Sequence, residues 1–158
     1  MTHRHLFALA ALTAALAGCA TTPTPVSVAD TIANDPALST LNGLVVKAGL
    51  ADTLKGPGPY TVFAPTNEAF KAVPAKTLDD LGKDPARLKA VLTYHVVPGK
   101  VAAADVKNGN TKTVNGANVA LSRAGTFVTV EEAMVQTADI SATNGVVHTV
   151  DRVLMPPR

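Results

Sequence analysis

The sequence contains no tryptophan, two tyrosines and four phenylalanines, so aromatics make up 4% of its 158 residues. Charge is sparse as well: 16% of side chains, with 14 basic and 12 acidic residues giving a net charge of +2. The lysines stand singly and the aromatics do not interleave with them, so no basic stripe exists for nucleic acid to bind, and nucleic acid is excluded as a partner. There is one cysteine, and it has no disulfide partner within the chain. What the sequence does have is apolar content, 47%, enough for the core of one domain.

That apolar content includes one long run near the start, broken only by Thr13. "MTHRHLFALAALTAALAGCATTPTP" opens with a short polar head carrying Arg4, continues through apolar Leu6 to Leu16, and reaches small residues before Cys19. The run is too short for a permanent bilayer span and has the proportions of a signal-peptide core. "LAGC", Leu16 to Cys19, resembles the bacterial lipobox, in which small residues flank the cut and the cysteine sulfur becomes a thioether to diacylglycerol. Residues 1–18 are therefore expected to be a lipoprotein signal peptide and Cys19 the lipidated N-terminus. The alternative is an ordinary signal peptide with an incidental cysteine. "ATTPTPVS" after it is small, polar and proline-bearing, so residues 19–26 read as a tether and 27–158 as the domain. Ala20 stands where an aspartate would retain a Gram-negative lipoprotein at the inner membrane. By that resemblance the protein is exported and lipid-anchored to the outer membrane, facing periplasm or surface. Removing Arg4 with the leader leaves 13 basic against 12 acidic residues.

Within the domain, Leu38, Leu41, Val45 and Ala48 recur at helical spacing, with Asp35 before Pro36 as a cap and Gly49 as a stop. "LADTLKGPGP" forces a turn, and "YTVFA" reads as a strand. Thr66, just past Pro65, predicts an N-cap. Its hydroxyl can serve the free N–H groups of the next turn, Glu68 suits the positive end of a helix, and Pro65 with Phe70 form a hydrophobic staple. The crowded stretch "YTVFAPTNEAF" is thus a structural joint with no nucleophile, base or metal set left over. "AKTLDDLG" predicts a short helix closed by Gly82, and "DPARLKAVLTYH" one capped by Asp84 with Pro85 in its first turn. From His95 onward, short β-branched segments alternate with Pro-Gly and Asn-Gly signals, which predicts a meander of antiparallel strands. Helices first and strands later give an α+β domain.

Three stretches carry a family likeness: "GPGPYTVFAPTNEAF" at 56–70, "LTYHVVPGKV" at 92–101 and "ADISATNGVVHTVDRVLMP" at 138–156. In this order they resemble the fasciclin domain, an extracellular adhesion module. The resemblance implies a single α+β fold, an antiparallel β-wedge or sandwich with several helices packed on it, and neither cofactor nor catalytic machinery. Where family members often place Asn-Gly between long strands, this chain has Glu131-Glu132-Ala133, so a longer or bulged hairpin is expected there.

The remaining candidates for chemistry are few. Once the leader is removed, only His95 and His148 are left of the four histidines. On one strand, His148 and Asp151 would point to opposite faces and could not share a metal. No serine has the glycine-flanked form of a nucleophile elbow. No catalytic residue, metal ligand or cofactor is therefore assigned, and each histidine is expected to stitch a strand to its neighbour by hydrogen bonds. Asn144-Gly145 is a turn signal because both residues tolerate positive φ. Asp139-Ile140 matches an Asp-Ile pair that in animal matrix members belongs to an integrin-recognition motif. Its flanks differ here, and the alternative makes Ile140 core and Asp139 a solvated turn residue. Tyr94, His95, Asp139 and Ile140 are the candidate partner-binding residues, and Thr66, Asn144 and His148 the structural ones. The expected function is a non-enzymatic, lipid-anchored adhesion module whose partner is a cell-surface or matrix protein or an envelope polymer. The rivals are a periplasmic structural or stress lipoprotein and a small-ligand carrier.

Overall fold

The computed structural model describes residues 26–157, and the leader, Cys19 and most of the tether lie outside them. Ser27 starts the first helix, α1 (Val28–Asn34), through a reciprocal cap: its hydroxyl accepts from Asp30 N at 3.2 Å while the Asp30 carboxylate accepts from Ser27 N at 3.4 Å. The Ser27 hydroxyl is also the main reason the Asp30 carboxyl titrates below its ordinary value. A 3-10 turn, Pro36–Leu38, leads into α2 (Ser39–Lys47), and the pair buries Leu38, Leu41 and Val45 on one face. Then come α3 (Ala51–Lys55), β1 (Tyr60–Pro65), α4 (Asn67–Lys71), α5 (Ala75–Lys83) and α6 (Pro85–Tyr94). Thr66 caps α4, with its hydroxyl accepting from Ala69 N at 3.4 Å. Asp84 caps α6, one carboxylate oxygen accepting from both Ala86 N and Arg87 N at 3.1 Å.

The strands that follow are β2 (Val96–Pro98), β3 (Gly109–Lys112), β4 (Asn118–Ala124), β5 (Phe127–Val130), β6 (Ala133–Ala142) and β7 (Gly145–Val150). They form one seven-stranded sheet in the order β2-β1-β7-β6-β5-β4-β3. The run from β3 to β7 is antiparallel throughout, and β1 then adds to β7 in parallel, Tyr60 opposite Gly145 through Pro65 opposite Val150. The sheet curls until its ends nearly meet: Val114, just past β3, donates its N–H to Val96 O of β2 at 2.8 Å. This is the single α+β domain the sequence implies.

Every residue of β7 is buried, because the strand lies between two cores. On one side α1, α2 and α6 cover Val62, Ala64 and Val147. On the other, Phe63 and Val150 face the curled half of the sheet, with Val119, Leu121, Val128 and Val130. At roughly 1.5–3 kcal/mol for each large apolar side chain removed from water, both cores are needed to offset chain entropy.

Two turns differ from expectation. Glu131-Glu132 is a tight two-residue connection, with Val130 paired directly to Ala133, rather than a longer or bulged one. Glu131 takes φ +55, a left-handed conformation normally left to glycine, and its side chain compensates by accepting from Ala120 N at 2.8 Å. At the second turn, Thr143 and Asn144 connect β6 to β7, and neither Asn144 nor Gly145 has positive φ. Asn144 instead works through its side chain: Oδ1 accepts from Val28 N at 2.8 Å, and Nδ2 donates to Leu54 O at 2.6 Å and Gly56 O at 2.8 Å. One amide thereby fastens the start of α1 and the end of α3 to the sheet.

Candidate functional site

The Asp139 backbone is held at φ +58 inside β6, within the second of two shifts in that strand's register with β7, the one between Thr137 and Ile140. Aspartate is one of the few side chains that tolerate this conformation. The bulge turns the Asp139 N–H toward β7, where it donates to His148 Nδ1 at 3.1 Å. His148 is buried and stacked on Phe63, ring centroids 5.6 Å apart. Its Nε2 lies 2.7 Å from Val101 O, and since a carbonyl only accepts, Nε2 carries the proton and Nδ1 is the acceptor. Asp139 Oδ1 accepts from Ala103 N at 2.9 Å. The Val101–Ala103 segment, Asp139 and His148 thus lock one another, and the exposed Asp139 carboxylate is presented from a fixed position. Ile140 beside it is half-buried against the helix-side core.

Tyr94 and His95 lie elsewhere, and the expectation that they contact a partner is corrected: each is only 2% exposed. The spacing that accounts for His95 is legible in the sequence, since Leu88, Val91, Leu92 and His95 follow the helical i, i+3, i+4, i+7 pattern of a buried face. The Tyr94 hydroxyl sits 3.1 Å from Asn118 O and 3.2 Å from Glu131 Oε1. Burial and the neighbouring Glu131 charge push its ionisation up to about 12. His95 Nδ1 donates to Val91 O at 2.8 Å, and Nε2 accepts from Leu154 N at 2.9 Å. Burial drives the imidazole down to about 4, although the Val91 carbonyl favours the proton. Tyr94 belongs to the core inside the curled sheet while Ile140 packs on the helix side, so the two pairs form no common surface.

All four imidazole nitrogens of His95 and His148 are occupied by backbone groups, so neither ring offers a free lone pair to a metal or a substrate proton. Among the described residues, no three metal-ligating side chains gather. What the arrangement provides is a rigid display of one carboxylate. The residues that hold it, Val101 and Ala103, carry no side-chain signal in the sequence because they act through their backbone.

Comparison with known proteins gives a consistent picture. The family model described as Fasciclin domain matches residues 36–156. Protein sll1483 of Synechocystis sp. is 41% identical over 142 residues, which is 87% of this chain and 78% of that protein. Cell surface glycolipoprotein MPB83 of Mycobacterium bovis is 39% identical over 135 residues, 82% of this chain and 60% of that protein. Among solved structures, the FAS1 domain pair of the insect cell adhesion molecule fasciclin I matches with a TM-score of 0.68 at 16% identity. That match covers 82% of this chain and about half, 51%, of the pair, and it bears on the fold alone.

Proposed function

The chain belongs to the fasciclin domain family, and from that premise we propose that it is a non-enzymatic adhesion module held on the cell envelope by a lipid at Cys19. Its similarity to a cell surface glycolipoprotein supports the location, and "LAGC" after an apolar run supports the anchor. The domain spans 27–158, with 1–18 the leader and 19–26 the tether, and the envelope is that of a bacterium, its outer membrane by the Ala20 argument. The partner is a surface or matrix protein or an envelope polymer, engaged weakly by each copy and strongly by many copies on one membrane.

The observation that carries the reading is the Asp139 carboxylate, exposed yet fixed by Ala103 N and His148 Nδ1. A contact group already immobilised loses little entropy on binding. Asp139→Asn keeps an amide oxygen for Ala103 N and a side chain that tolerates φ +58, and removes only the charge. Attachment of the purified protein to its own cells should fall about tenfold, the worth of a charge-assisted hydrogen bond, while the melting temperature stays constant. Undiminished attachment by the folded variant would remove Asp139 from the contact surface. The anchor has its own test. Mass spectrometry of the mature protein should find a diacylglyceryl thioether on Cys19, and Cys19→Ser should accumulate uncleaved and unlipidated. An unmodified N-terminus at any other residue refutes the anchor without touching the adhesion reading.

A further inference from the structure

The C-terminal segment Val153–Pro157 runs over the surface as a wall shared by two grooves of opposite character. On one side the lining includes Glu131, Glu132 and Arg152, of which Arg152 and Glu132 pair at 3.7 Å. On the other, a groove of about 540 Å³ is lined by Val73, Pro74, Thr77, Val91 and Met155, and among the described residues the one ionisable side chain in its lining is Arg87. Its floor, Val91, is 4% exposed, while Met155 at the rim is 43% exposed, a large apolar side chain left facing water. Among the described residues the Arg87 guanidinium has no carboxylate partner. Pro74, Pro156 and Pro157 each have a fixed φ, which narrows the conformations open to the walls.

We infer that this second groove binds a single-chain amphiphile with an anionic head, its acyl chain along Val91 and Met155 and its carboxylate on Arg87. The volume is in the range of small-molecule sites, and an apolar lining with one convergent polar group sets the orientation of such a ligand. Arg87 supplies a planar donor fork that matches a carboxylate bidentately. Across the segment, Arg152 is paired with Glu132 and Glu131 stands beside them, so that groove offers an anionic head no unpaired cation. A free fatty acid is the intended occupant, because the groove has room for one chain and one head contact.

The test uses the purified protein and dodecanoate below its micellar range, followed by amide chemical shifts. One saturating site is expected, with the largest changes at Thr77, Val91 and Met155. Dodecanol, the same chain without charge, should bind about tenfold more weakly, and exposed Arg87→Gln should reduce dodecanoate to that level at unchanged melting temperature. Thr77→Trp, which fills the groove from its half-buried wall, should abolish binding of both. Equal affinity for the two ligands, saturating shifts elsewhere, or binding only to anionic phospholipid vesicles would each overturn the inference.

Discussion

Gly145→Ala lowers the melting temperature by about 10 °C or more, while Gly43→Ala raises it slightly. The two glycines differ in setting, an exposed helix against a buried strand, and above all in what a methyl group would meet. A Cβ at Gly145 would run into the Tyr60 carbonyl, and no side chain is available to move aside because the obstacle is the backbone of the paired strand. Tyr60 opposite Gly145 is the first register pair of the parallel β1–β7 ladder, so relief means parting those strands at that end. Tyr60 N also donates to Asn144 O at 2.9 Å, and the same displacement pulls Asn144 from α1 and α3. Overpacking alone costs about 1–3 kcal/mol, and the lost clasp adds the penalty of unpaired backbone groups. Gly43 sits exposed inside α2 with nothing within 4 Å of the place a methyl would take, so alanine there contributes only helix propensity, about 0.5–1 kcal/mol in favour of folding. Thermal denaturation of both variants checks the contrast, and a Gly145→Ala protein as stable as the parent contradicts the close approach of β1 to the β6–β7 turn.

The reason for Gly145 shows where the sequence stops being readable. Local signals suffice wherever the physics is local: the caps of Thr66 and Asp84, the proline opening α6, and the division of the second half into strands all rest on neighbours a few residues apart. The helix α1 is equally local, a Ser27-to-Asp30 capping box, but it follows directly on the proline-bearing tether, whose composition masks the cap. Gly145 is different. Asn-Gly predicts a turn and a turn is there, but its glycine is required by Tyr60, a residue far along the chain on a strand that pairs in parallel. No periodicity in either segment encodes that partner. The candidate site divides the same way. Burial of His95 follows from the α6 spacing, whereas the bulge that presents Asp139 depends on Val101, Ala103 and His148 arriving from distant parts of the chain.

Acidification from pH 6.5 to 4 should destabilise the domain by about 3 kcal/mol through His95 alone. The unfolded imidazole takes its proton near pH 6.5, whereas the folded one, buried, resists it until about pH 4. Between these values the unfolded state binds more protons than the native state, so stability is full above pH 6.5 and is lost progressively as pH falls. The structural cause is the bond at Nε2, which accepts from Leu154 N; a protonated ring would turn an N–H toward that N–H. His95→Phe separates the terms. At pH 7 it leaves Leu154 N and Val91 O unpaired in a dry site and costs about 2–5 kcal/mol, since each buried polar group loses its partner. Between pH 6.5 and 4, however, the variant should lose about one proton's worth of slope relative to the parent. Urea unfolding of both proteins at several pH values reads the difference directly, because titrations common to the two proteins cancel in it. Parallel curves would mean that His95 takes its proton as readily in the fold as in the unfolded chain. Leu154 N would then need another acceptor, and the segment from Val153 to Pro157 would be held by its buried leucine and not by the imidazole.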